Sequence, residues 1–125
     1  MAHAYVYLLR CADDSLYCGW TVDLERRLAA HHSGKGSAYV RRRLPARYAA
    51  AWTAQDRSHA MSAEALIKRL SRPEKLALIR GGPLPAALGP LLPCRPPAGP
   101  ADPHVGAGTF GPPDPSSRQQ PAERP

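Results

Sequence analysis

The sequence contains no asparagine, a single phenylalanine and only three cysteines. No stretch approaches the ~20 consecutive apolar residues that cross a bilayer. The N-terminus reaches polar strand residues too early for a secretory signal, so the expected location is the cytoplasm. Cys11, Cys18 and Cys94 are odd in number and form no Cys-x-x-Cys pair, which argues against a disulfide framework or a zinc knuckle. Cys11 and Cys18 read instead as small packing residues. Acidic side chains are scarce too, 10 against 17 Lys and Arg, giving a formal net charge of +7. No internal repeat is visible.

Proline is abundant but confined. All but two of the 15 prolines, Pro45 and Pro73, lie between Pro83 and Pro125. A segment so dense in proline and so poor in hydrophobic periodicity buries too little apolar surface to offset its ordering entropy. Residues 1–82 are therefore expected to form one folded domain and residues 83–125 a disordered tail, whose removal at Gly82 should leave the fold intact. The tail's Arg95, Arg118 and Arg124 balance Asp102, Asp114 and Glu123, so the whole excess of positive charge sits on residues 1–82. An Arg-dominated excess on so small a domain fits a protein that meets phosphates.

Ala4 to Arg10 is rich in aromatic and branched residues, Asp13-Asp14-Ser15 supplies turn chemistry, and Leu16 to Trp20 follows as a second strand, which together read as a β-hairpin. Leu24, Leu28 and His31 or His32 recur at helical spacing, predicting a helix over Val22–His32 that stops at Ser33-Gly34-Lys35-Gly36. Gly34 to Arg43 is a basic loop with room for a short helical turn. Arg47–Thr53 reads as a third strand. Ser58 is the expected cap of a second helix with Met61, Ala65, Ile67 or Lys68, and Leu70 at helical period. Ser71-Arg72-Pro73-Glu74 is a capping box opening a third helix, with Leu76 and Ile79 inward, ended by Gly81-Gly82. The predicted class is α/β (α+β): a three-stranded, mainly antiparallel sheet flanked by helices, in the order ββαβαα. Its core is modest, since a domain this small buries only roughly 60% of its unfolded surface.

Tyr5 and Tyr7 share one face of the first strand, because strand side chains alternate with period two. Tyr17 and Gly19 stand on the hairpin partner. Arg27 and His31, four apart, share a stripe of the first helix, and Glu64 is the one carboxylate inside the second. Each has a plain structural role when taken alone: packing tyrosines, a solvated arginine and histidine, a glutamate paired with Lys68. Brought together, they supply what phosphodiester hydrolysis needs. Glu64 suffices for Mg²⁺, which is commonly held by one or two carboxylates with phosphate and waters completing its shell. Arg27 can clasp a phosphate oxygen in bidentate fashion. Tyr7 or Tyr17 can take a proton from water if the ~10 of a free phenol is lowered, and His31 can assist that proton.

Tyr5-Val6-Tyr7, nine intervening residues and then Tyr17-Cys18-Gly19, followed by Arg27, His31 and Glu64, resembles the GIY-YIG nuclease superfamily. The likeness runs from about Ala4 to Leu78 and is closest to the small stand-alone members, which likewise carry Gly34-Lys35-Gly36 and an Arg-rich loop. Tyr5 and Val6 stand in place of Gly-Ile, and Cys18 in place of the second motif's Ile; neither change removes a chemical group from the site. The resemblance implies a metal-dependent endonuclease. Tyr7 would act as or help the general base, Glu64 would bind one Mg²⁺ or another divalent cation, and Arg27 would stabilise charge on the phosphate. Tyr17 and His31 would orient water or relay protons. Gly19 would keep the strand bare where backbone or substrate comes close. The late asparagine of some larger members has no counterpart here.

Lys35, Arg41, Arg42, Arg43 and Arg47 form the basic segment best suited to track a nucleic-acid backbone, through contacts that give affinity without sequence choice. DNA is the expected partner. Two other readings stand beside the nuclease: a nucleic-acid-binding module of the same fold with little or no turnover, and a subunit whose proline-rich tail docks a protein partner.

Overall fold

The computed structural model describes residues 3–98. The chain runs through β1 (Ala4–Cys11), β2 (Leu16–Thr21), α1 (Leu24–His32), α2 (Ala38–Arg41), β3 (Ala46–Ala54), α3 (Arg57–Lys68) and α4 (Arg72–Ile79). A 3-10 turn at Ala86–Leu88 and β4 (Leu92–Cys94) follow. The mixed α/β class and the ββαβαα succession match the sequence reading, with α2 as the short turn inside the basic loop. The strands form one antiparallel sheet in the order β2-β1-β3-β4.

β1 occupies an inner position, and its unbroken run of apolar and aromatic residues follows from being covered on both faces. Ala4, Val6 and Leu8 enter one core with Trp20, Trp52, Ala60, Ala63, Ile67 and Leu78, beneath α3 and α4. Tyr7, Leu9 and Cys11 enter the other with Leu24, Leu28 and Val40, beneath α1 and α2. The result is three layers with the sheet in the middle. Asp13 closes the β1–β2 turn, its Oδ1 accepting from the Ser15 backbone N–H at 3.0 Å and from its hydroxyl at 2.6 Å. Asp14 takes the left-handed conformation, φ 71°, which a short polar side chain tolerates.

Helix starts are set by local chemistry. Asp23 caps α1 by accepting from the Arg26 N–H, and Ser71 with Glu74 forms the expected capping box on α4, with proline in the first turn. At α3 the expectation needs correcting: Asp56, not Ser58, is the cap, accepting from the His59 N–H at 2.8 Å. The inward residues of α3 are Ala60, Ala63, Glu64 and Ile67, while Met61 and Ala65 face out. Buried alanines carry no more hydropathy than exposed ones, so the bulkier Met61 misleads. In α4 it is Leu78 that is buried, with Leu76 and Ile79 only half-covered.

The sheet has one strand more than the sequence reading expected, and that strand comes from beyond Gly82. There are four strands among the described residues: β4 pairs with β3 through Ala51–Cys94, Trp52–Pro93 and Thr53–Leu92. Leu88 and Leu91 are buried in the core beneath α3 and α4. His59 fastens this segment, its Nδ1 accepting from the Gln55 N–H at 2.9 Å and its Nε2 lying 2.7 Å from the Leu88 carbonyl oxygen. Proline density conceals the strand because proline is tolerated on sheet edges, where no ladder donor is missed. The disorder expected beyond Ala98 lies outside the described residues.

Candidate active site

Tyr7 stands opposite Gly19 in the β1–β2 register. Its ring leans across that glycine: a Cβ on Gly19 would collide with the Tyr7 hydroxyl and the ring carbon bearing it. The bare strand position expected from the sequence is thus occupied by a phenol. Gly19→Ala must push the buried ring aside, and overpacking of this kind costs about 2 kcal/mol. Urea unfolding of the variant should show that loss, whereas a drop below 0.5 kcal/mol would mean that the ring relaxes freely.

α1 turns Arg27 and His31 toward the sheet, on the one stripe that their spacing predicted, and both are fully buried. Arg27 Nε–H donates to Tyr7 Oη at 2.9 Å. His31 Nε2 lies 3.3 Å from the same oxygen. Because a guanidinium only donates, Tyr7 accepts from Arg27 and turns its own proton toward His31. Burial, then the Arg27 charge, then His32 push the His31 pKa well below the usual value, so the imidazole is neutral and Nε2 can accept. The other ring nitrogen, Nδ1, is buried against Gly36, where a Cβ would strike it, and has no hydrogen-bond partner. Gly36 is a second glycine of the site that the sequence placed only in a loop.

Burial pushes Tyr7 up to about 12, against the lowering effect of Arg27's charge and hydrogen bond. Tyr7 is therefore a neutral phenol at ordinary pH. Arg27 keeps its charge: burial opposes it, but Tyr7, Tyr17 and Tyr48 outweigh that burial. Its Nη1 and Nη2 are buried without a hydrogen-bond partner. Two unmatched cationic donors in the interior are expensive, which makes them the strongest sign of an anion-binding role in the molecule.

Tyr17 brings its ring to 5.7 Å from that of His31, edge-on, and stacks on Tyr39 at 5.9 Å. Arg43 lies over Tyr39, 3.8 Å from ring centre. Tyr48 donates its hydroxyl to the Leu24 carbonyl at 2.7 Å and packs edge-on against Tyr7. Tyr39 and Tyr48 complete an aromatic wall that sequence reasoning missed. An aromatic between Lys35 and the Arg41–Arg43 run was the available signal for Tyr39, and one directly after Arg47 for Tyr48. Tyr5 is only part-buried beside this core.

Glu64 comes from the opposite layer, on α3, with its backbone oxygen 3.9 Å from Cys18 Sγ. No direct bond ties it to the Tyr7–Arg27–His31 cluster, but its charge raises the Tyr7 pKa and Arg27 acts to lower its own. Burial pushes the carboxyl up overall, against Lys68 and Arg27. Oε2 is 3.4 Å from Lys68 Nζ, yet both atoms are buried and neither has a hydrogen bond. Among the described residues no group of three or more His, Cys, Asp and Glu could hold a metal. A single carboxylate with an unmatched oxygen fits Mg²⁺, which keeps several waters and takes phosphate oxygens as further ligands.

Of the basic residues, Lys35, Arg41, Arg42 and Arg47 are exposed. Arg43 is instead committed, donating through Nε to Asp13 Oδ2 at 3.0 Å and through Nη1 to the Tyr39 carbonyl at 2.9 Å. His32, beside His31, is structural: Nε2 accepts from the Ala46 N–H and Nδ1 meets the Leu28 carbonyl, both at 3.2 Å.

The family model described as the GIY-YIG catalytic domain matches residues 3–77. This chain belongs to the GIY-YIG family. Its relatives include a UPF0213 protein of Streptococcus pneumoniae serotype 4 (strain ATCC BAA-334 / TIGR4), 53% identical over 72 residues, which span 58% of this chain and 73% of the relative. A UPF0213 protein of Syntrophus aciditrophicus (strain SB) is 44% identical over 84 residues, or 66% of this chain and 97% of its own. A UPF0213 protein of Bacillus halodurans, solved by solution NMR, is 44% identical, with 62% of this chain and 83% of that one covered and a TM-score of 0.42. The GIY-YIG domain is a nuclease-type domain, and the matched span contains Tyr7, Tyr17, Gly19, Arg27, His31 and Glu64. Among the described residues no helix is long and apolar enough to cross a membrane.

Proposed function

We propose that this GIY-YIG domain is a divalent-metal-dependent endonuclease that hydrolyses phosphodiester bonds in DNA. The observation that carries the proposal is the Tyr7 hydroxyl held between the Arg27 Nε–H and a neutral His31 Nε2. Tyr7 can accept a proton from an attacking water as it passes its own to His31, so the hydroxyl ends the step neutral and the imidazole charged. The water oxygen bonds to phosphorus, the bond to the leaving oxygen breaks, and solvent protonates that oxygen. Arg27 receives the non-bridging oxygens on its unmatched Nη1 and Nη2. A phosphate there also offsets the positive charge that holds His31 neutral, so its proton affinity rises when substrate is present. Tyr17 orients the imidazole through its ring contact. Glu64 would hold the divalent ion, which supplies charge neutralisation on the phosphate and leaving oxygens.

Lys35, Arg41, Arg42 and Arg47 would grip the DNA backbone, a contact that weakens steeply with salt. Plasmid nicking in Mg²⁺ at low salt tests the whole reading. Tyr7→Phe keeps the ring over Gly19 but removes the proton carrier, and should lower the nicking rate about 10²-fold. Equal nicking by wild type and variant would remove Tyr7 from the chemistry. The complete burial of Tyr7, Arg27 and His31 favours a second reading, a nucleic-acid binder of this fold without turnover. It requires salt-sensitive DNA binding with intact plasmid under Mg²⁺ and Mn²⁺ alike.

A further inference from the structure

One charged group beside Glu64 has no part in the chemistry above. Lys68 lies one helical turn beyond Glu64 on α3, with Nζ 3.4 Å from Glu64 Oε2. An ordinary helix-surface pair at this spacing is solvated, but here the carboxylate side chain is only 9% exposed. It is also not a close pair. Charge-assisted hydrogen bonds run about 2.7–2.9 Å, and neither Oε2 nor Nζ makes one. The ammonium thus faces the carboxylate as a long, poorly aligned pair, held chiefly by charge.

We propose that Lys68 is the resident counter-cation of Glu64: in the metal-free protein its ammonium neutralises the carboxylate, and a divalent ion must displace it, so Lys68 sets the metal affinity of the site. The inference rests on the reading of Glu64 as the metal ligand. A buried carboxylate with no cation at hand is costly, and Arg27, the other cation acting on Glu64, makes no direct bond to it. Displacement is mechanically simple. Lys68 is the last residue of α3, its side chain is 25% exposed, and its four-carbon stem is flexible. The carbonyl end of the helix offers the ammonium a second favourable seat. The cation that stabilises the unloaded site therefore competes with the ion that activates it.

The test is Mn²⁺ binding, followed by the spin-resonance signal of the free ion, on the full chain as wild type, Lys68→Met, Lys68→Arg and Glu64→Gln. Lys68→Met should bind Mn²⁺ about tenfold more tightly, Lys68→Arg should match wild type, and Glu64→Gln should not bind at this site. Metal-free thermal melts should show Lys68→Met below wild type, with the larger upward shift on adding Mn²⁺. If the methionine variant does not fold, Lys68→Gln carries the same comparison. Equal or weaker binding after loss of the ammonium, with Glu64→Gln still abolishing it, overturns the role of Lys68 alone. Mn²⁺ that fails to bind wild type, or binds Glu64→Gln equally well, removes the metal-ligand reading and this inference with it.

Discussion

Arg27→Met should lower plasmid nicking by about 10³-fold while leaving the protein as stable as wild type or more so. Most losses of a buried side chain destabilise, so the opposite sign is diagnostic. The guanidinium is fully buried, gives only its Nε–H to Tyr7, and leaves Nη1 and Nη2 unmatched. Replacing a poorly compensated buried ion by an apolar side chain of similar length is neutral or stabilising, by about 1–4 kcal/mol in comparable cases. A site kept for function at the expense of stability should behave in this way, and a structural arginine should not. Parallel nicking assays and urea titrations on one preparation give both quantities. Unchanged nicking would remove Arg27 from phosphate binding, and a large loss of stability would mean that the surrounding phenols satisfy the cation.

Ending the chain at Gly82 should abolish cooperative unfolding at 37 °C, whereas ending it at Ala98 should preserve the melt. The shorter chain loses β4 and the buried Leu88 and Leu91. Each buried leucine contributes about 1.5–3 kcal/mol; with the β3–β4 ladder the deficit approaches about 5 kcal/mol, the lower end of total stability for a domain. A thermal melt by circular dichroism on the two truncations decides the matter. A sharp transition from the Gly82 truncation would restore the shorter domain expected from proline content.

How much the sequence disclosed depended on whether a feature is local. The hairpin and the Ser71–Glu74 capping box are written in short-range chemistry and were legible, whereas the first helix starts two residues later than expected because Asp23 caps it. So was the shared stripe of Arg27 and His31, because helical spacing alone sets it. The spacing could not say that both are buried, nor that Tyr7 reaches them by crossing Gly19, since those depend on the pairing of strands and the approach of α1. The places of Tyr48 and Gly36 in the site were hidden for the same reason. Arg43 looked like its neighbours in the arginine run, yet Asp13, thirty residues earlier, claims it. The fourth strand was concealed by a different cause: composition averages over a segment, while Leu88 and Leu91 act as individuals against the core.

The place of β4 in the chain also bears on biosynthesis. Proteins emerge from the ribosome N-terminus first, and the two layers that carry the candidate site, from Tyr7 to Glu64, precede the last strand of the sheet. Until Leu92–Cys94 have been made, the outer side of β3 stays open along Ala51, Trp52 and Thr53, a template on which a neighbouring nascent chain could pair. Once made, Leu92–Cys94 covers that edge of β3, and Pro93, which has no N–H to give, makes the new outer edge a poorer template than the one it covers.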